Sequence, residues 1–274
     1  MTRPLRHRWA ARVWRYPAVL ACFWAVSAYG ADLRRSGFES MSPSLQAMQR
    51  DDAQNPGQLL VAEGQALWAQ AAGAAQTSCA SCHGEPQRLR GVAARYPAWD
   101  ESAAQVRTLS QRIEACRQQH QQATPQAPQG PVRLALEALV ASQSRGLPIT
   151  PGAGPGGDGA ARAGLHAAQQ AGALLFQRRM GQLNLSCAQC HDTLAAQPGA
   201  RLGSAAIPQA HPTGYPIYRL EWQGMGTLQR RLRACMSGVR ATPFDWDAPE
   251  WTALEAYLMQ RAAGMVMEAP AVRP

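Results

Sequence analysis

The stretches Cys79-Ala-Ser-Cys82-His83 and Cys187-Ala-Gln-Cys190-His191 decide how this chain reads. Each is a C-x-x-C-H string. Two thiols about one helical turn apart can both bond the edge of one porphyrin, and the adjacent histidine then faces the iron. The competing reading is a C-x-x-C zinc or redox pair, and a second copy of the whole string, histidine included, argues against it. The chain is therefore expected to carry two covalently bound haem c groups. Cys79 and Cys82 would hold one and Cys187 and Cys190 the other, with His83 and His191 as proximal iron ligands.

Around these strings the sequence repeats. Gly64-x-x-Leu67-Trp68 precedes Cys79 by the same interval at which Gly172-x-x-Leu175-Phe176 precedes Cys187. Downstream, the octet Leu109 to Cys116 matches the octet Leu228 to Cys235, and Ala135-Leu-Glu-Ala138 matches Ala253-Leu-Glu-Ala256. Entry helix, haem string, middle helix and closing helix recur in order, which is one duplication rather than a solenoid. Long β-branched runs are rare while Ala, Leu, Gln and Arg abound. The predicted fold is mainly α, two tandem cytochrome c domains related by internal duplication. The expected boundaries are an N-terminal domain over 31–147, a Pro/Gly-rich linker over 148–160, a C-terminal domain over 161–265 and a frayed tail over 266–274.

Residues 1–30 read as an export signal. Arg3, Arg6, Arg8, Arg12 and Arg15 precede an apolar run from Ala18 to Ala28, and small residues at Ala28 and Gly30 suit a peptidase. Cleavage near Gly30 would leave a periplasmic chain with no membrane insertion. An uncleaved anchor is the alternative, although the run is short for a bilayer. The formal charge of +9 owes more than half to those five arginines. Four haem propionates would cancel most of the rest, so the basic balance does not point to nucleic acid. All 27 Lys and Arg residues are Arg.

Distal ligands come next. Methionine is absent from Gly84 through Arg179, so the first haem has Cys116 and His120 as candidates on one helix face. Once one of the 7 cysteines is assigned to the leader and four to haem, Cys116 and Cys235 remain. A disulfide between them is one option. Their equivalent places in the repeat favour iron ligation within each unit. Thiolate ligation lowers a haem potential, which suits a chemical task better than simple electron carriage. Arg231 lies one helical turn before Cys235, on the same face. Arg230, Arg233 and Arg240 are near in sequence, and acids are absent from Gln223 to Phe244. Such a cluster draws a small dianion. For Arg230 and Arg233 the plainer reading is a solvated face or propionate contacts.

The two C-x-x-C-H units, and the segment Arg231-Leu-Arg-Ala-Cys235-Met-Ser-Gly-Val-Arg240-Ala-Thr-Pro243-Phe244, resemble the SoxA cytochromes of SoxAX complexes in bacterial thiosulfate oxidation. The resemblance implies that Cys235 is both distal haem ligand and catalytic residue, passing through a persulfide. It makes Arg231 the substrate-binding arginine, with Arg240 beside it, and Cys116 the distal ligand of the first haem. It further implies an L-cysteine S-thiosulfotransferase that joins thiosulfate oxidatively to a cysteine of a SoxYZ-like carrier. Electrons would leave through a small SoxX-like monohaem cytochrome in a heterodimer. The rival readings are a dihaem electron-transfer protein without thiol catalysis, a dihaem peroxidase, and a sulfite- or tetrathionate-handling enzyme.

Overall fold

Serine and threonine caps start the helices that matter. In the computed structural model, which describes residues 1–2, 32–152, 159–202 and 205–274, Ser78 Oγ accepts from the Ser81 amide at 3.0 Å and opens a short helix over Cys79–His83. Ser186 and Gln189 cap the second string reciprocally, and a widened turn over Gln189–Leu194 follows. The proposed export signal lies outside the described residues, apart from its first two and the residues after it. The body from Arg34 to Pro274 is one unit.

Its helices are α1 (Pro43–Arg50), α2 (Gly57–Ala69), α3 (Cys79–His83), α4 (Leu109–Cys116), α5 (Pro131–Ser142), α6 (Gly159–Gln177), α7 (Leu228–Gly238) and α8 (Pro249–Arg261). In each repeat the entry helix crosses the closing helix, α2 on α5 and α6 on α8. Glycine permits the approach: a Cβ on Gly64 would stand 2.3 Å from the Ala135 carbonyl oxygen, and one on Gly172 would stand 2.0 Å from that of Ala253. The middle helices α4 and α7 start at Thr108 and Thr227, whose hydroxyls accept from the Gln111 and Arg230 amides. Among the described residues no helix is long and apolar enough to cross a membrane.

Short strands precede the middle helices. In the first repeat β1 (Ala98–Asp100) pairs antiparallel with β2 (Gln105–Arg107). A two-residue pair, β3 (Arg201–Leu202) with β4 (Ala205–Ala206), sits in the second repeat. There β5 (Ile217–Arg219) pairs antiparallel with β6 (Gly224–Gly226) and, on its other edge, parallel with β7 (Ala271–Arg273).

That last strand corrects the expected tail over 266–274. Ala269, Ala271 and Val272 are fully buried and Met267 nearly so. Apolar side chains on the core face and free backbone groups for the edge of β5 give this segment a place that closeness to a terminus does not reveal. The expected linker over 148–160 also begins too early. Ile149 is fully buried, and its amide donates to Met265 at 2.9 Å while Thr150 donates to Ala94 at 2.8 Å. Residues 153–158 lie outside the described residues. Nor does the first core stay within the first repeat: Trp68, Leu136, Leu139 and Ile149 pack with Met259, Ala262, Met267 and Ala269. A second core gathers Phe176, Leu228, Met236, Trp251, Leu254 and Leu258.

Between the repeats lies a small cavity of about 50 Å³. Equivalent residues line it from both sides: Tyr96 and Tyr215, Thr108 and Thr227, Leu109 and Leu228, Glu137 and Glu255. Matching positions of the two repeats thus meet at one cavity, the pattern a two-fold relation between like halves creates. Arg133 of α5 bridges to Asp247 with two bonds of 2.8 and 3.0 Å. Burial pushes the Glu137 carboxyl up to about 7 against the pull of Arg133. Burial, with Glu137 and Asp247 adding to it, pushes Glu255 up to about 8.

Both acids therefore favour the fold in their neutral forms. That contribution is complete below the ordinary value of 4.5, declines as pH rises, and is gone above about 8. Glu255→Gln is always neutral there. Urea midpoints measured between about pH 5 and 9 should fall less steeply in the variant, by on the order of 2 kcal/mol across the range. Parallel curves would remove the acid pair from the alkaline loss.

Candidate functional site

Each repeat encloses a cavity beside its C-x-x-C-H string. The first, about 340 Å³, is lined by Cys79, Cys82 and His83 from α3, by Arg112 and Cys116 from α4, and by Leu136 and Val140 from α5. Trp68 closes it from α2, with its ring 5.7 Å from that of His83 and its Nε1 donating to the Gly84 carbonyl at 2.8 Å. His120 reaches the same cavity from a widened turn over Arg117–Gln121, where it is exposed, whereas Cys116 is half-buried on the last turn of α4. Burial pushes the Cys116 thiol up, Arg112 pulls it down, and Cys82 lies close enough to raise it further. The third thiol of the unit thus faces the haem-string pair.

The second cavity, about 160 Å³, is lined by His191, Tyr215, Arg219, Arg231 and Cys235, with Arg273 from β7. Cys235 and Arg231 lie one turn apart on α7, as the sequence register requires. Burial pushes the Cys187 thiol up to about 11, and Cys235 raises both Cys187 and Cys190. His191 Nδ1 lies 2.7 Å from the Pro208 carbonyl oxygen. Protonated at Nδ1 by that bond, the ring leaves Nε2 free for a metal. Burial also holds His191 below its ordinary value, which keeps it neutral as a ligand must be. In the first repeat, then, a thiol pair and a histidine share a pocket with a third thiol; in the second, His191 and Cys235 share one, and Cys235 lies within electrostatic reach of Cys187 and Cys190. These donors fit a covalently attached haem, with the paired thiols for the porphyrin edge and the histidine and third thiol for the iron.

No bond joins Cys116 to Cys235. All six described cysteines are free, and these two line different cavities. The disulfide alternative is thereby overturned.

Arg240 does not join the others. After α7 ends the chain turns left-handed at Arg240 (φ 57°). The residue lines a separate open groove with Met180, Gly181, Met236 and Phe244. Its expected place beside Cys235 is corrected accordingly: the turn that leaves α7 is packed against Gly181, where a Cβ would stand 2.1 Å from the Val239 carbonyl oxygen. Arg233 donates to the Phe244 carbonyl and stacks 4.3 Å from Trp246, while Arg230 donates to Met225 and stacks 4.2 Å from Trp222. Both are half-buried and tied to a carbonyl and an indole ring, rather than lying on the solvated face expected of them.

Two cavity residues escaped the sequence reading, Arg219 and Arg273. Arg273 binds Glu268, Gln49 and the Val272 carbonyl, so its guanidinium is committed. Arg219 donates Nη2 to Glu221 at 2.8 Å, and its Nε is buried without a hydrogen-bond partner. Arg231 lies near enough to depress both Arg219 and His191. Among the described residues no acid pairs with the Arg231 guanidinium.

Comparison with known proteins follows the same division into repeats. The family model for the SoxA/TsdA cytochrome c domain matches residues 63–149 and again 171–267. The L-cysteine S-thiosulfotransferase subunit SoxA of Rhodovulum sulfidophilum is 35% identical over 240 residues, covering 87% of this chain and 80% of that protein. The subunit of the same name from Pseudaminobacter salicylatoxidans is 31% identical over 239 residues, with 87% and 80% covered. The crystal structure of SoxXA from P. pantotrophus superposes with a TM-score of 0.81 at 29% identity, over 88% of this chain and 87% of that one. With the model matched once on each haem-string repeat, and such relatives spanning most of both sequences, this chain belongs to the SoxA/TsdA cytochrome c family.

Proposed function

We propose that this chain is the thiol-active cytochrome subunit of an L-cysteine S-thiosulfotransferase, the activity named in its relatives. It carries two haem c groups, one per cavity. His83 and Cys116 would hold the iron of the first, and His191 and Cys235 that of the second. Bound haem supplies an iron that takes up electrons one at a time. A SoxX-like monohaem subunit receives them, by analogy with the SoxXA complex of P. pantotrophus. The protein works in the periplasm after its leader is removed.

The observation that carries this reading is the meeting of Cys235, Arg231 and His191 on the walls of one cavity. Thiosulfate is a small dianion with three oxygens at one end and a reactive sulfur at the other. A guanidinium fork holds the oxygens and leaves the outer sulfur toward the thiol one helical turn on. The Cys235 thiolate bonds that sulfur as two electrons depart, giving a cysteine S-thiosulfonate, and the carrier thiol then attacks the same sulfur and displaces the Cys235 thiolate. Over the whole reaction one S–S bond forms, between the outer sulfur of thiosulfate and a cysteine of a SoxYZ-like carrier. The carrier thiol loses its proton and two electrons depart. The first repeat has the thiol and its arginine too, but Arg112 is held by Asp100 at 3.1 Å.

Removing the Arg231 fork tests the reading. Arg231→Ala should lower kcat/KM for thiosulfate roughly 30-fold, the effect of losing about 2 kcal/mol from a charged contact. Haem content should stay at two per chain by intact mass. A normal rate at low thiosulfate would refute the assignment.

A further inference from the structure

The two repeats differ at one position in a way that bears on their chemistry. Asp100 ends β1 and Arg219 ends β5, and each stands in the last register of its hairpin, opposite Gln105 and Gly224. Both hairpins follow a Tyr-Pro pair, and both lead to the arginine one turn before the third thiol. Asp100 and Arg219 are therefore structural equivalents.

In the first repeat Asp100 is buried and receives Arg112 at 3.1 Å and Arg107 at 3.0 Å. The Ser102 hydroxyl donates to it as well, at 2.6 Å. Arg112 is thus tied through Nη1 to a carboxylate beside it. In the second repeat the position of Arg107 is Gly226, and the carboxylate has become a guanidinium. Two cations, Arg219 and Arg231, now line the cavity, where in the other repeat Arg112 alone of the matching pair does so and is tied to Asp100. The acid near Arg219 is Glu221, which accepts from its Nη2 at 2.8 Å and whose side chain is 60% exposed, so that solvent screens the pair. Arg219 keeps its Nε buried without a partner, and its ring neighbour Trp222 is shared with Arg230. Like charges enclosed together are costly until an anion joins them.

We propose that Arg219 is a second oxyanion-binding residue of the Cys235 cavity, so that the sulfonate end of the substrate is held between the Arg219 and Arg231 forks. The inference rests on the function proposed above and adds to it the residue that distinguishes the active repeat from the silent one. Carboxylates of a haem propionate present the same chemistry as a sulfonate oxygen. The structure favours the substrate, because Arg219 shares its cavity with Cys235 and lies within electrostatic reach of Arg231.

The experiment uses the haem-loaded full chain with its cytochrome partner. Arg219→Gln, Arg219→Lys and Arg219→Asp are compared for thiosulfate KM and kcat, for competitive inhibition by inorganic sulfate, and for haem spectrum and potential. Arg219→Gln should raise both KM and the sulfate inhibition constant about tenfold, with haem spectrum and potential unchanged. Lysine should restore part of the loss. Aspartate should exceed glutamine, since it also captures Arg231, as Asp100 captures Arg112. Unchanged KM and inhibition constant in all three variants would overturn the proposal, whether the haem potential shifts (a propionate contact) or not. The sulfate inhibition constant reports anion binding apart from the chemistry at Cys235. An inert Arg219 beside a sensitive Arg231 therefore sinks this inference alone, while an inert Arg231 sinks the function it rests on.

Discussion

Cys235→Ala is expected to yield a folded protein with both haems attached and no thiosulfate-dependent turnover. The two proposed haem attachments use Cys79, Cys82, Cys187 and Cys190, which lie on other elements, so assembly would not require residue 235. On the function proposed above, the variant loses a nucleophile and an iron ligand at once. Loss of a covalent nucleophile lowers rates by on the order of 10³-fold or more. Cys235→Ser shows the same rate loss while filling the same volume, which separates chemistry from packing. The matching change in the first repeat, Cys116→Ala, alters the spectrum of the other haem and spares most turnover. Steady-state assays with visible spectra of each variant decide the matter. A Cys235→Ala protein turning over at the parent rate would leave a dihaem electron carrier.

Val272→Asp is expected to remove the folded second unit. Val272 is fully buried in β7, and β7 supports β5, which ends at Arg219 on the cavity wall. An unpaired carboxylate in that place costs several kcal/mol, comparable to the stability of a whole domain. Val272→Ala removes only apolar volume and should lower stability by about 2 kcal/mol with the site intact. Thermal melts followed at the second haem distinguish the two. If Val272→Asp melts with the parent, the strand is dispensable and the segment is the frayed tail that its position first suggested.

The parts of this molecule that were legible in the sequence are those whose physics is local. Covalent haem attachment needs its cysteines and histidine within five residues, so the string announces itself. The middle helices are read from the matched octets Leu109 to Cys116 and Leu228 to Cys235. The register of Arg231 with Cys235 follows from one helical turn. The rest depends on partners far along the chain. Strand β7 has meaning only against β5, and Ile149 only against Met265. Arg240 looked close to Cys235 because the two are five residues apart, yet the turn after α7 sends them to different cavities. Glu137 and Glu255 mark the duplication in sequence, but their burial in one cavity depends on the two repeats being brought face to face. Arg219 carried a signal that was present all along: aligned on their Tyr-Pro pairs, the repeats set it against Asp100.

The cavity between the repeats, with matched residues meeting on its walls, has the layout of a symmetric homodimer whose subunits share one polypeptide. Such an association, if left untethered, dissolves on dilution. A covalent connection holds each half at a fixed effective concentration near the other, whatever the protein content of its compartment. Symmetry is then no longer enforced, because a change in one half need not be copied in the other. One copy could keep its salt link and serve as a conduit while its twin gave up that link for a reactive pocket.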